Sequence, residues 1–161
     1  PMEHPSANIM HAEHKYLNLH TQREVKDTFA NSCKLLKGLG IDFYVAMMVG
    51  FAQETNDTLN LVREYGRFAL DQGAEFVTFF YLKPFPGTPD FRHYHNVPSE
   101  RRFENAPEYW GLGTPVLKPD AMTIEQLQDK VEEISLEVNG RTNRIPGSTS
   151  AQYRNSAKDG V

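Results

Sequence analysis

The residues with the clearest chemical potential lie in the stretch MMVGFAQET, residues 47–55, where an apolar run breaks at Gly50 and reaches Glu54. A glycine lets the backbone approach a ligand closely, because no Cβ intervenes. Met48 and Val49 can then pack on a flat ring while a backbone group reads its edge. Glu54 is also favourable at the N-terminus of a helix when no ligand is bound, because its negative charge interacts with the positive end of the helix dipole. The stretch therefore predicts either a small-molecule site or a plain strand-to-helix turn.

A second candidate turn, KPFPGTPDF, residues 83–91, follows the aromatic run EFVTFFYL, residues 75–82. Tyr81 belongs either to the core or to a cavity lining, because alternate residues of a barrel strand face the interior. Lys83 can pair with a carboxylate of a ligand, and an exposed, solvated lysine is the alternative. These two turns, together with Tyr81 of the run before the second turn, supply all the predicted binding residues.

No metal ligand or catalytic residue is predicted within the chain. The histidine pairs at 11 and 14 and at 93 and 95 lack acidic or cysteine companions at ligand spacing. The single cysteine, Cys33, cannot by itself hold a zinc ion or an iron–sulfur cluster. No Ser-His-Asp order, phosphate loop or carboxylate pair stands out.

The elements around these turns follow from capping and periodicity. Thr21 to Glu24 has capping-box form, and the helix that it starts should end at Gly38 or Gly40. Residues 41–49 are apolar on both faces, which predicts a strand covered on both sides. A helix capped by Asn56 or Asp57 should run to about residue 72, and residues 75–82 should form the next strand. The apolar face of the first helix is Val25, Phe29, Cys33 and Leu36.

Helix, strand, helix and strand joined by short turns predict an α/β fold with parallel strands. In such folds the carboxyl ends of the strands carry the ligand site, and both candidate turns fall there. Residues 96–122 have no sustained period and predict an irregular excursion, which is followed by a C-terminal helix over 123–140. The polar residues 141–161 predict a flexible tail.

Composition excludes some partner classes. The 17 basic and 21 acidic residues give a net charge of −4, with no basic stripe for nucleic acid. No apolar run approaches the ~18 residues of a membrane span, and the N-terminus lacks the features of a signal peptide. These observations predict a cytoplasmic protein with no nucleic-acid partner and no membrane span.

Two stretches together resemble the radical S-adenosylmethionine (radical SAM) superfamily. The order GIDFYVAMMVGFAQETNDTL, a helix, then EFVTFFYLKPFPGTPDF is similar to the second half of its catalytic domain, a partial (β/α)6 TIM-like barrel. In many members one strand ends close to GFPGET and the next ends in PFPGTP. The likeness covers roughly residues 15–95. It implies that residues 1–95 form the C-terminal half of such a barrel.

The segment YWGLGTPVLKPDAMTIEQL is similar to the one that follows the barrel in the cobalamin-binding branch of that superfamily. The resemblance implies S-adenosylmethionine (SAM) as cofactor, with cobalamin as a further candidate, and a small-molecule substrate. The residues that would bind SAM or line the radical cavity are Met48, Val49, Gly50, Glu54, Tyr81 and Lys83.

The chain also departs from the family pattern. The CxxxCxxC loop that holds the [4Fe–4S] cluster is absent, so its ligands would lie outside this chain, which would not be active alone. Ala52 and Gln53 replace Pro-Gly in the strand motif. Two barrel strands leave open edges, so the chain is expected to dock onto the remainder of the barrel, in upstream sequence or another chain. The alternative is a non-catalytic half-barrel that binds or scaffolds.

Overall fold

The computed structural model describes residues 3–15, 18–111 and 113–140, and the predicted flexible tail, 141–161, lies outside them. Within that part of the chain there are four α-helices and two β-strands. The helix over Ala7–Ala12 was not predicted from the sequence, and the other helices and strands follow one another in the predicted order. Three short 3-10 helices, Pro89–Asn96, Ser99–Arg101 and Pro107–Trp110, occupy the segment after the second strand. The elements are α1 (Ala7–Ala12), α2 (Gln22–Gly38), β1 (Val45–Val49), α3 (Asn56–Asp71), β2 (Val77–Tyr81) and α4 (Ile124–Asn139).

The two strands pair side by side and parallel, with Val45 opposite Val77 and Val49 opposite Tyr81. This confirms the mixed α/β class and the parallel pairing predicted from the sequence. Because the register carries no offset between the strand ends, the turns after β1 and β2 leave the sheet at the same edge. Both candidate turns are therefore brought to the carboxyl end of the sheet.

Two of the predicted helix starts are confirmed. Thr21 caps α2 and Thr123 caps α4, each through a reciprocal capping box. The prediction for α3 was wrong by one position, because Thr55 is the N-cap and Asn56 is already helical. Thr55 accepts a hydrogen bond from the backbone N–H of Thr58, whose hydroxyl accepts one in return from the N–H of Thr55.

The predicted strands were too long, and the prediction that both faces are fully covered was wrong. Only residues 45–49 and 77–81 are in the ladder, and both strands alternate between buried and half-buried side chains. Val45, Met47 and Val49 face a core formed by α2, α3 and α4. Ala46 and Met48 face the other side, where cover is partial. Because alternate side chains point to opposite faces of the sheet, one face is covered by the helices and the other, the half-open face, is only partly covered.

A second, smaller core lies beyond the carboxyl end of β1 and on the half-open face. It joins α1 to the turn after β1 and to the segment after β2, and Met48 packs at its margin. Its buried members include Ile9, Met10, Phe51, Leu82, Trp110 and Leu117. This core holds the two candidate turns in place.

The end of α4 is fixed to the start of β2. The side-chain amide of Asn139 accepts a hydrogen bond from the N–H of Val77 and donates one to its carbonyl. Gly140 then ends the helix in the left-handed conformation, with φ of 67°. No helix in the described part of the chain has the length and apolar character to cross a membrane.

Candidate functional site

The turn after β1 depends on Gly50. Its φ is +83°, a region that side chains rarely adopt, so the conformation itself requires glycine. A Cβ at this position would lie 3.2 Å from Cδ2 of Leu127 in α4. The space on that side of Gly50 is therefore taken by the protein's own core. A larger residue at this position is therefore expected to strain the fold.

Glu54 is completely buried and closes the turn from inside. One carboxylate oxygen accepts a hydrogen bond of 2.9 Å from the backbone N–H of Gly50. The other accepts from the hydroxyl of Thr58 and lies 3.2 Å from Nε2 of His4. Three donors on two oxygens satisfy a carboxylate that has no access to water. Glu54 thus joins β1, the start of α3 and the N-terminal segment.

His4 is the partner that sequence reasoning missed. It is fully buried, and its Nδ1 accepts a hydrogen bond of 3.0 Å from the backbone N–H of Ser6. Nε2 must then carry the proton and donate to Glu54, which fixes the tautomer of the ring. The ring also meets Phe51 edge-on, with centroids 5.4 Å apart. Fifty residues separate His4 from Glu54, so no local spacing could have indicated the pair.

The remaining predicted residues of the strands fall on different sides of the sheet. Val49 and Tyr81 are opposite each other in the ladder, and both side chains are buried in the helix-facing core. Met48 points to the other face and is half-buried there. Of the three, only Met48 presents its side chain to the half-open face. Val49 contributes to that face through its backbone alone.

Lys83 is buried and not solvated, so the expectation of an exposed lysine is wrong. Its ammonium donates to the carbonyl of Thr114 and, at 3.3 Å, to that of Tyr109. No carboxylate of residues 3–15, 18–111 or 113–140 forms an ion pair with it. Burial, and then the nearby charge of Arg101, lower its pKa to about 7. The side chain of Lys83 therefore anchors the segment after β2 to the carbonyls of Tyr109 and Thr114.

A carboxylate pair that the sequence did not reveal lies between α1 and the 3-10 helix over 89–96. Burial, together with the hydrogen bond and negative charge of Glu13, raises the pKa of Asp90 to about 6. Burial opposes ionisation of Glu13, but hydrogen bonds from Asp90 and Gln53 and the charge of Arg92 hold its pKa below the usual value. Arg92 reaches Glu13 at 2.7 Å. As the pH falls, Asp90 is therefore the member of the pair that binds a proton first, while Glu13 stays ionised beside the cation of Arg92.

The described residues do not fit an iron–sulfur cluster or another metal centre. No group of three histidine, cysteine or acidic side chains within the described ranges is arranged to hold a metal ion. Cys33 is buried in the helix-facing core, and burial raises the pKa of its thiol. Its surroundings disfavour the thiolate that a metal would need. Any such cluster would require ligands from elsewhere.

Comparison of the chain with protein-family models, with curated proteins and with solved structures finds no match. The family suggested by the sequence motifs therefore stays a prediction, which stands on those motifs and on the arrangement of the two turns.

Proposed function

We propose that the chain is the second half of a radical SAM barrel that helps to bind SAM and to line the radical cavity. The observation that carries the proposal is the parallel pairing of β1 and β2 without offset. It sets the turn around Gly50 beside the segment that starts at Lys83, as a shared ligand edge would require. A substrate of small-molecule size is proposed on the same ground.

The half-open face of β1 is the best-fitting place for an adenine ring. Met48 offers a half-buried apolar side chain there. The carbonyl of Gly50 is the backbone acceptor proposed for the ring edge, because the Gly50 N–H donates to Glu54 and the Val49 carbonyl accepts from Leu82. Approach over the Cβ side of Gly50 does not fit, because Leu127 fills that space. The proposal therefore limits the direct contacts with SAM to the side chain of Met48 and the carbonyl of Gly50. Glu54 acts as a positioning residue for that backbone.

SAM, when bound to a reduced cluster, would supply the radical, and the residues of this chain would orient the nucleoside and shield it from water. The [4Fe–4S] ligands are proposed to lie outside the chain, in the remainder of the barrel. Cobalamin stays a further candidate cofactor on sequence similarity alone. The segment of that similarity, residues 109–127, supplies Trp110 and Leu117 to the smaller core and Met122 to the larger one. No chemical step is assigned to cobalamin.

Methionine-methyl NMR of the intact chain tests the proposal. The chain has 5 methionines, and Met47 and Met48 are neighbours on opposite faces of β1. Titration with S-adenosylhomocysteine to about 10 mM should shift the Met48 methyl resonance through the adenine ring current, even at a Kd of about 1 mM. Met47 should not move. Absence of a Met48 shift, or equal shifts at all methionines, would overturn SAM binding at this face.

The second candidate function is a non-catalytic half-barrel that scaffolds a partner. The observation in its favour is that the turn satisfies its own polar groups, since Glu54 is bound by Gly50, Thr58 and His4. If the chain has that function, S-adenosylhomocysteine should not shift the Met48 methyl resonance. The same titration therefore discriminates between the two candidate functions.

A further inference from the structure

The 3-10 helix Pro89–Asn96 is held to the rest of the chain mainly by polar contacts, because none of its residues is buried. At its carboxyl end, the side-chain amide of Asn96 donates to Asp120 at 3.1 Å, and its carbonyl accepts from the N–H of Lys118. Tyr94 packs at the margin of the smaller core. The amino-terminal half of this helix therefore depends on its contacts with the end of α1.

Those contacts converge on Glu13, which follows α1 and is 3% exposed. Arg92 donates to one carboxylate oxygen at 2.7 Å and to the carbonyl of Ala12 at 2.9 Å. Gln53, in the turn after β1, donates to the other oxygen at 3.1 Å. Asp90 forms a side-chain hydrogen bond with the same carboxyl group. Glu13 thus joins α1, the turn after β1 and the 3-10 helix.

The hydrogen bond between Asp90 and Glu13 requires a proton, because two ionised carboxylates offer acceptors only. Burial, and then the hydrogen bond and negative charge of Glu13, raise the pKa of Asp90 to about 6, so the proton is lost close to neutral pH. Once it is lost, the hydrogen bond is replaced by two like charges that face each other. The contact that holds the helix therefore becomes repulsive as the pH rises.

The other charged groups around Asp90 do not replace this proton. Arg92 supplies one positive charge, which already pairs with Glu13. Lys15 attracts Asp90 from the side of α1, but its ammonium is engaged in an ion pair of its own. Nε2 of His93 accepts a hydrogen bond from Arg92 and lies 3.7 Å from Glu13, so the ring is neutral in this arrangement. Two carboxylates would thus face one shared guanidinium.

The closed arrangement also leaves a polar atom unsatisfied. Oε1 of Gln53 is buried and has no hydrogen-bond partner within the described residues, because the amide must turn its NH2 group toward Glu13. A buried acceptor without a donor destabilises the arrangement that contains it. A modest electrostatic change at the carboxyl pair is therefore sufficient to release the helix.

We propose that the amino-terminal half of the 3-10 helix is a pH-operated flap, which is closed while Asp90 holds a proton against Glu13 and opens about Asn96 when that proton is lost. Opening uncovers Gln53, three residues after Gly50, so the flap controls access to the turn after β1 from the side of α1. The inference is independent of SAM binding, and each can fail without the other.

Amide hydrogen exchange of the full chain tests the flap, because local opening exposes backbone N–H groups to solvent. Exchange over residues 89–96 is measured at about pH 5 and about pH 7.5 and corrected for the intrinsic rates. Protection of this segment should fall about tenfold or more between the two pH values. Protection of Val77–Tyr81, the internal reference, should change less than about twofold. Equal protection of residues 89–96 at both pH values would overturn the inference.

Two variants at Asp90 form a matched pair. Asp90→Asn keeps a donor, since its NH2 group can donate to ionised Glu13 at either pH, and should keep residues 89–96 protected at both values. Asp90→Ala removes the donor and should show low protection at both. His93→Gln, which still offers Arg92 an acceptor, controls for titration of histidine and should behave as the parent does. Loss of the pH dependence in His93→Gln, or its persistence in Asp90→Asn, would contradict the role of Asp90.

Discussion

Replacement of Glu54 by glutamine tests whether the buried carboxylate holds the turn. Glutamine has nearly the same shape but exchanges one acceptor oxygen for an NH2 group. If its oxygen faces Thr58 and His4, its NH2 faces the backbone N–H of Gly50, and two donors are then left buried without a partner. The opposite amide orientation places the NH2 against the Nε2–H of His4, which is also a donor. Neither orientation restores the network.

The size of the effect follows from these contacts. Loss of a hydrogen bond to a charged group costs about 1.5–3 kcal/mol, and each donor left buried without a partner costs about 1–3 kcal/mol. We expect Glu54→Gln to lower the free energy of unfolding by about 3 kcal/mol and Tm by about 6–12 °C. The matched control is Glu64→Gln, at an exposed glutamate of α3, the helix that Glu54 precedes; this variant should stay within about 0.5 kcal/mol of the parent.

Urea unfolding followed by far-UV circular dichroism and by the fluorescence of Trp110 measures both variants without any ligand. His4→Leu should also lower the free energy of unfolding. The double variant Glu54→Gln/His4→Leu should lose less than the sum of the two single losses, with a coupling energy of about 1 kcal/mol or more. A loss below about 0.5 kcal/mol in Glu54→Gln would refute the reasoning. Additive losses would show that His4 and Glu54 act independently.

Two further predictions use matched pairs of positions. Gly50→Ala and Gly87→Ala introduce a side chain at nearly the same φ, +83° and +85°, but only Gly50 has a neighbour in the way. Backbone strain should lower the free energy of unfolding of each variant by about 1 kcal/mol. Urea unfolding should show a larger decrease for Gly50→Ala, and equal decreases would contradict the contact at Gly50. Lys83 has a folded pKa of about 7 against an ordinary 10.5, so the unfolded chain binds more protons between these values and folding stability rises with pH there. The free energy of unfolding of the parent, relative to that of Lys83→Met, should rise by about 2–3 kcal/mol between pH 7 and 9.5. The control variant Lys118→Met, at an exposed lysine, should show the same pH dependence of stability as the parent. If the difference between the parent and Lys83→Met did not change with pH, the amine of Lys83 would titrate normally.

Features specified within a few residues were predictable from the sequence. The capping boxes at Thr21 and Thr123 place both reciprocal partners three residues apart, and the structure confirms each helix start. Gly140 ends α4 because only a residue tolerant of positive φ suits that position. The parallel pairing followed from short turns and apolar strands, which leave few alternatives in a chain of this size.

Features that depend on distant residues were not predictable. The burial of Lys83 requires the carbonyls of Tyr109 and Thr114, some thirty residues later, and a lysine at the start of a proline-rich turn gives no local sign of them. The pairing of Glu13 with Asp90 likewise joins residues that are far apart in the sequence, almost half the chain length. Gly50 was recognised as unusual, but its φ and its contact with Leu127 arise from the way α4 packs on the sheet. Pattern indicates where a turn occurs, and packing decides what it can hold.

The hydrogen bonds between Asn139 and Val77 also fix where the end of α4 lies relative to the Gly50 turn. Val77 is the first residue of β2, so α4 ends at the edge of the sheet opposite to the turn at Gly50. A five-residue strand places the two edges about 13 Å apart. A fluorescent reporter attached at the exposed Leu136, in the last turn of α4, would therefore lie on the far side of the sheet from that turn. Labels at the end of α4 are the appropriate choice for immobilising this protein while the Gly50 turn stays accessible.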